Sequence, residues 1–178
     1  KVPTDSYTSW RAVRRRARTP ETRFSIGRKQ YSEALQVLDV VEKKLPSEAA
    51  AWQMRASIYL AQGERVKARE QLELALKARP NFLPAVNMLA ELDRLDKHFD
   101  RGQKRYQAVL ALEPGNIRAT MMLADYLAAQ PGKLNEAISL LEKAHKDKPD
   151  AFEPVLGLTR LYIQAGNPKQ ALAVAQDA

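Results

Sequence analysis

The sequence predicts an all-α solenoid of stacked helical hairpins. Three observations carry that prediction: a helix-forming composition, a proline that recurs at a fixed period, and small residues in phase with it. Of 178 residues, 27 are alanine and 22 leucine, against only 7 glycines. That balance favours helices over glycine-turned sheets. Pro46, Pro80, Pro114 and Pro149 stand 34, 34 and 35 residues apart. Proline lacks an N–H and clashes with the preceding turn, so a regular proline marks a regular helix end. Between successive prolines lie two helix-length apolar patterns, split by turns near Gly63, His98, Pro131-Gly132 and Gly166. The unit is a helical hairpin, repeated.

Taken in order, residues 1–19 form a basic arm, with a candidate helix over 5–18 that carries Tyr7, Trp10, Val13 and Ala17 on one stripe. Residues 20–46 read as a degenerate leading repeat. Thr19-Pro20-Glu21 supplies a cap, a first-turn proline and an acid for a short helix over about 20–28. A second helix follows from Tyr31 to Leu45. Four units then occupy 47–80, 81–114, 115–149 and 150–178, the last cut short. Ser47, Asn81, Asn116 and Asp150 are the expected helix caps. Small residues fall where helices must approach closely: Ala56, Ala90, Ala124 and Thr159 in the first helices, and Ala34, Ala68, Gly102, Ala137 and Ala171 in the second. Leu72, Leu89, Tyr106, Leu123, Leu141 and Leu158 are among the larger residues between them, so the helices interlock.

The run Trp52-x-x-x-Ala56-x-x-Tyr59, followed by Gly63, Ala68, Ala75 and Pro80, resembles the tetratricopeptide repeat, and four such matches run in phase over 47–178. The resemblance implies a right-handed superhelix of antiparallel helix pairs whose inner helices line a concave groove. The sequence itself holds no nucleophile–base pair or metal-ligand constellation, so no catalytic residue, metal or cofactor is expected. Arg55 and Asp93 depart from the pattern, standing where leucine and a large aromatic are usual, and one turn is longer by a residue near Pro131. The phrases Asn81-Phe82-Leu83-Pro84-Ala85, Leu89-Ala90-x-Leu92-Asp93 and Arg160-Leu161-Tyr162, with Gly166-Asn167-Pro168 and Ala171-Leu172-Ala173, are also similar to repeat lipoproteins of bacterial exosortase (PEP-CTERM) and exopolysaccharide systems. That second resemblance covers about residues 50–178. It implies a lipid-anchored protein of the bacterial envelope, periplasmic or membrane-attached.

By phase, the groove positions are Gln53, Ser57 and Leu60; Asn87, Glu91 and Arg94; Met121, Asp125 and Ala128; and Leu156, Arg160 and Ile163. Amides, opposed charges and small apolar patches suit an extended peptide or partner helix better than a phosphate chain. The family's clamp for a C-terminal carboxylate is not reproduced, because Gln53, Ser57 and Asn87 stand where its basic and amide residues are needed. A non-enzymatic scaffold for a protein partner is the leading expectation. A docking module of a larger enzyme or outer-membrane exporter is the alternative.

The net charge of +8 is concentrated at one end: residues 1–30 carry nine basic and two acidic residues, and the rest is near balance. That localisation argues against general nucleic-acid binding. The cluster Arg14, Arg15, Arg16 and Arg18 reads either as a basic face for anionic lipid, RNA or an acidic polymer, or as a solvated arm. The absence of cysteine removes disulfides, thiolate metal sites and cysteine nucleophiles together. His98 and His145 lack a metal-ligand spacing. Glu91, Asp93 and Asp96, interleaved by Arg94 and Lys97, read as a charged helix face. A start at Lys1 leads to the expectation of a processed or excised piece of something longer. Ala178 falls inside a helix without a polar cap, so continuation or self-association through that end is expected.

Overall fold

The structure, a computed structural model, describes residues 20–44 and 48–176, with side chains from Gln30 onward. The described residues form nine helices and no strand. They are α1 (Pro20–Lys44), α2 (Ala49–Ala61), α3 (Arg65–Ala78), α4 (Leu83–Leu95), α5 (Phe99–Leu112), α6 (Ile117–Ala128), α7 (Leu134–Asp147), α8 (Phe152–Gln164) and α9 (Pro168–Gln176). They stack as a right-handed α-solenoid of antiparallel pairs, in which helices pack on their neighbours in sequence and α6 also meets α8. No described helix is long and apolar enough to cross a membrane.

The interior is built of two clusters that meet at α4. One cluster joins Ala56, Ala68, Leu72 and Ala75 of the first pair to Ala85, Leu89 and Leu92 of α4. A second runs from Leu83 through Tyr106, Leu127, Leu141 and Leu158 to Ala171. Ala56, Ala68, Ala90, Ala124 and Ala137 are fully buried, which is where close helix approach requires a small side chain. Gly102 is tighter still, since a Cβ there would stand 2.0 Å from Tyr126 Oη and 2.5 Å from its Cζ. In the last unit the close approach is made by Gly157, against Leu141 and Met121. Thr159, expected in that role, is half-buried and turns its hydroxyl back to the Val155 carbonyl at 2.9 Å.

Two further local expectations are corrected. Residues 20–44 form one helix, so no hairpin turn divides 20–28 from 31 onward. Gly27 is followed by Arg28-Lys29-Gln30, three good helix formers, and a single glycine costs a helix only about 1 kcal/mol. Of the expected caps, Asn116 accepts from Ala119 N at 2.9 Å, but Glu48 caps α2, and Phe82 and Ala151 occupy the other two positions without a side-chain cap bond. Ser47 lies outside the described residues. Asn81 instead donates to Glu113, which also accepts from Asn116 Nδ2 at 2.6 Å, tying two neighbouring loops together. The turn before α5 puts Lys97, not a glycine, at positive φ (61°), where the other three turns use Gly63, Gly132 and Gly166.

Candidate functional site

The positions expected to face the groove lie on α2, α4, α6 and α8, the first helices of the four pairs. Their side chains settle one another in a definite pattern. On α2, Gln53 donates to Ser57 Oγ at 3.1 Å and reaches Met88 Sδ on α4 at 3.3 Å. Leu60 packs half-buried against the first core cluster. On α4, Asn87 Oδ1 accepts from Tyr106 Oη at 2.7 Å, so a core residue of α5 fixes the amide. Burial of the Tyr106 phenol pushes its ionisation well above the ordinary tyrosine value, which keeps it a donor.

Charges on this surface are paired internally. Glu91 and Arg94 satisfy each other one turn apart on α4, at 2.7 Å. Asp125 on α6 pairs with Arg160 on α8 across the inter-unit step. Gln164 Nε2 leans to the Ala128 carbonyl at 3.5 Å along the same step. Met121 is half-buried beneath Gly157. Leu156 and Ile163, one turn on either side of Arg160, are 54% and 62% exposed. The surface therefore offers amides and aliphatic side chains, with little uncompensated charge. Arg14, Arg15, Arg16 and Arg18 lie outside the described residues.

Sequence reasoning missed an ion network on α3, α4 and α5. Asp93 is 0% exposed, and its carboxylate accepts from Arg69 Nη1 at 2.7 Å and Arg105 Nε at 2.6 Å, with Arg101 3.8 Å away. Arg69 continues to Asp96 at 2.7 Å and Arg105 to Glu73 at 2.9 Å. Burial alone would raise the Asp93 carboxyl; the Arg105 and Arg69 hydrogen bonds outweigh it and hold it below the ordinary carboxylate value. The available signal was the departure itself: an acid where an aromatic is usual needs cations nearby. Arg55, the other departure, binds Asp39 at 2.7 Å and Glu42 at 2.9 Å, clamping α1 to α2.

Family models described as tetratricopeptide repeat match residues 25–92 and 128–178, and a further one matches 91–152. Anaphase-promoting complex subunit 7 of Arabidopsis thaliana is 29% identical over 109 residues, which is 61% of this chain and 19% of that protein. The chain thus spans about a fifth of the length of this curated relative. Among solved structures, the MamA fragment from Desulfovibrio magneticus RS-1 superposes with a TM-score of 0.56 at 19% identity, covering 86% of both chains. PilF of Pseudomonas aeruginosa gives 0.58 at 19% identity, covering 86% of this chain and 71% of its own. The Naa15/Naa10 complex bound to HypK-THB gives 0.53 at 25% identity, covering 82% of this chain and 22% of the matched one.

Proposed function

Because the chain belongs to the tetratricopeptide-repeat family, whose fold is typical of protein-interaction scaffolds, we propose that it is a non-enzymatic scaffold holding a partner's peptide or helix against α2, α4, α6 and α8. One observation carries the reading: charges on this surface are paired among themselves while Leu156 and Ile163 stay open. A self-neutralised surface gives little electrostatic grip to a highly charged ligand, and favours an occupant with aliphatic anchors and backbone polar groups. The match to part of one chain in the structure of Naa15/Naa10 bound to HypK-THB supports a role as one module of a larger assembly.

The test uses Leu156→Ser, Arg160→Ala and Ile163→Ser together, since all three are more than half exposed and outside the core. Asn87 is left intact because its loss would strand the Tyr106 hydroxyl. Partners captured from source cells by the parent protein should be lost from the triple variant at unchanged circular dichroism. A folded triple variant that retains them overturns the reading. A setting in bacterial polysaccharide export or surface-protein sorting rests on the sequence phrases alone and is a separate proposal. Lipid modification and membrane fractionation of the native polypeptide test it.

A further inference from the structure

A cleft of about 330 Å³ opens between the α5–α6 loop and the α6/α7 hairpin, away from the positions discussed above. Its floor is apolar: Leu110, Ile117, Leu140 and Ala144, all half-buried, each showing one side to the opening. Thr120 is buried at its base, and Lys143, Asp147 and Lys148 stand exposed at the mouth.

The cleft has a cause in the sequence. In the register of the repeat, Thr120 and Ala144 occupy two positions held by Trp52 and Ala75 in the first unit and by Val86 and Val109 in the second. Those earlier pairs belong to the packed core clusters. Relative to the second unit the third loses valine's two methyl groups at Ala144, and relative to the first it loses the indole at Thr120, so the hairpin is left underfilled at this end. The cleft is open to solvent on one side, and its volume lies at the lower end of the range of small-molecule sites.

Polar groups decide what fits. Thr120 spends its only hydroxyl hydrogen on the Asn116 carbonyl at 3.1 Å, so inside the cleft it can accept but not donate. A carboxylate therefore finds no partner at the base. At the mouth, Lys148 donates to the Gly115 carbonyl at 2.7 Å, fixing the loop wall, and Lys143 makes no ion pair among the described residues. Two cations face one anion there, Asp147. We propose that this cleft binds a small amphiphilic anion. Its aromatic or branched aliphatic body lies on Leu110, Ile117 and Leu140, and its carboxylate lies at the mouth against Lys143. The site uses none of the residues proposed for partner binding, so the two readings stand or fall separately.

The experiment titrates 4-phenylbutyrate and its neutral analogue 4-phenylbutanol into the isotope-labelled protein, following amide shifts. The acid should saturate, with shifts confined to residues 110–120 and 140–148, and bind about fivefold or more tighter than the alcohol. Lys143→Gln should bring the acid down to the level of the alcohol. Thr120→Trp, which imports the first unit's solution, should weaken both ligands at least tenfold while the thermal midpoint holds or rises. Should the tryptophan variant fail to fold, Ala144→Val, with Val109 as its precedent, serves the same purpose. No saturation in the millimolar range, shifts centred on the exposed Phe152, Leu156 and Leu172, or binding unchanged in the filled variant would each overturn the proposal.

Discussion

Asp93 shows how a single residue is made affordable inside a helical stack. An isolated carboxylate at 0% exposure would be driven to its neutral form, yet two guanidinium groups hold this one ionised. Asp93→Asn should cost about 3 kcal/mol, because removing one member leaves Arg69 and Arg105 half-buried with only their outer partners, Asp96 and Glu73. The pH dependence follows from the lowered carboxyl. Its contribution is complete above the unfolded aspartate value, near pH 4, and is lost as pH falls through the lower folded value. Urea unfolding between pH 2 and pH 6 should therefore show a steeper acid decline for the parent than for Asp93→Asn. Equal slopes would mean that the carboxyl is not held ionised by the arginines.

At the scale of elements, each helix is defined by local signals, and the tight points are set by what crosses between helices. Gly102 illustrates the conflict between the two. As an exposed helix residue, Gly102→Ala would gain about 1 kcal/mol in propensity. Here the new methyl would meet the buried ring of Tyr126, whose hydroxyl also donates to the Phe99 carbonyl at 3.2 Å. Overpacking of that kind typically costs about 1–3 kcal/mol, so the variant should be destabilised on balance. Pairing it with Tyr126→Phe, which removes the nearest atom, should recover part of the loss in a double-mutant cycle. Additive losses would show that the two residues do not collide.

These elements also mark how far the sequence was readable. The α2–α9 pairs were legible because a 34-residue period repeats the same punctuation four times. The single helix α1 was not, because a glycine and a proline at its start imitate the signals of a separate short helix. The helices that carry the expected groove positions followed from phase, but the side-chain partners of those positions did not. Tyr106 and Asn87 are 19 residues apart, and Asp125 and Arg160 are 35 apart, distances that only the stacking of units closes. The Asp93 network was read as a charged helix face for the same reason. Its arginines come from two other helices.

For the whole molecule, the decisive fact is that stabilising contacts run between neighbours along one axis. Stability in such a stack is a sum of unit terms and interface terms, so a defect weakens its own surroundings first. Helix α4 is the seam: Ala85, Leu89 and Leu92 belong to the first core cluster, and Leu83, Val86 and Ala90 to the second. Leu89 is fully buried on the side of the first unit. Leu89→Ala should cost about 2–5 kcal/mol, but chiefly at the junction it seals. Amide hydrogen exchange should then accelerate across α1–α3, which lose their main attachment to the stack, while α6 and α7 keep most of their protection. Leu141→Ala, deep in the second cluster, should do the reverse, loosening α6–α9 and sparing α2 and α3. If either variant accelerates exchange evenly from α1 to α9, the chain unfolds as one cooperative block and the seam at α4 has no separate energetic existence.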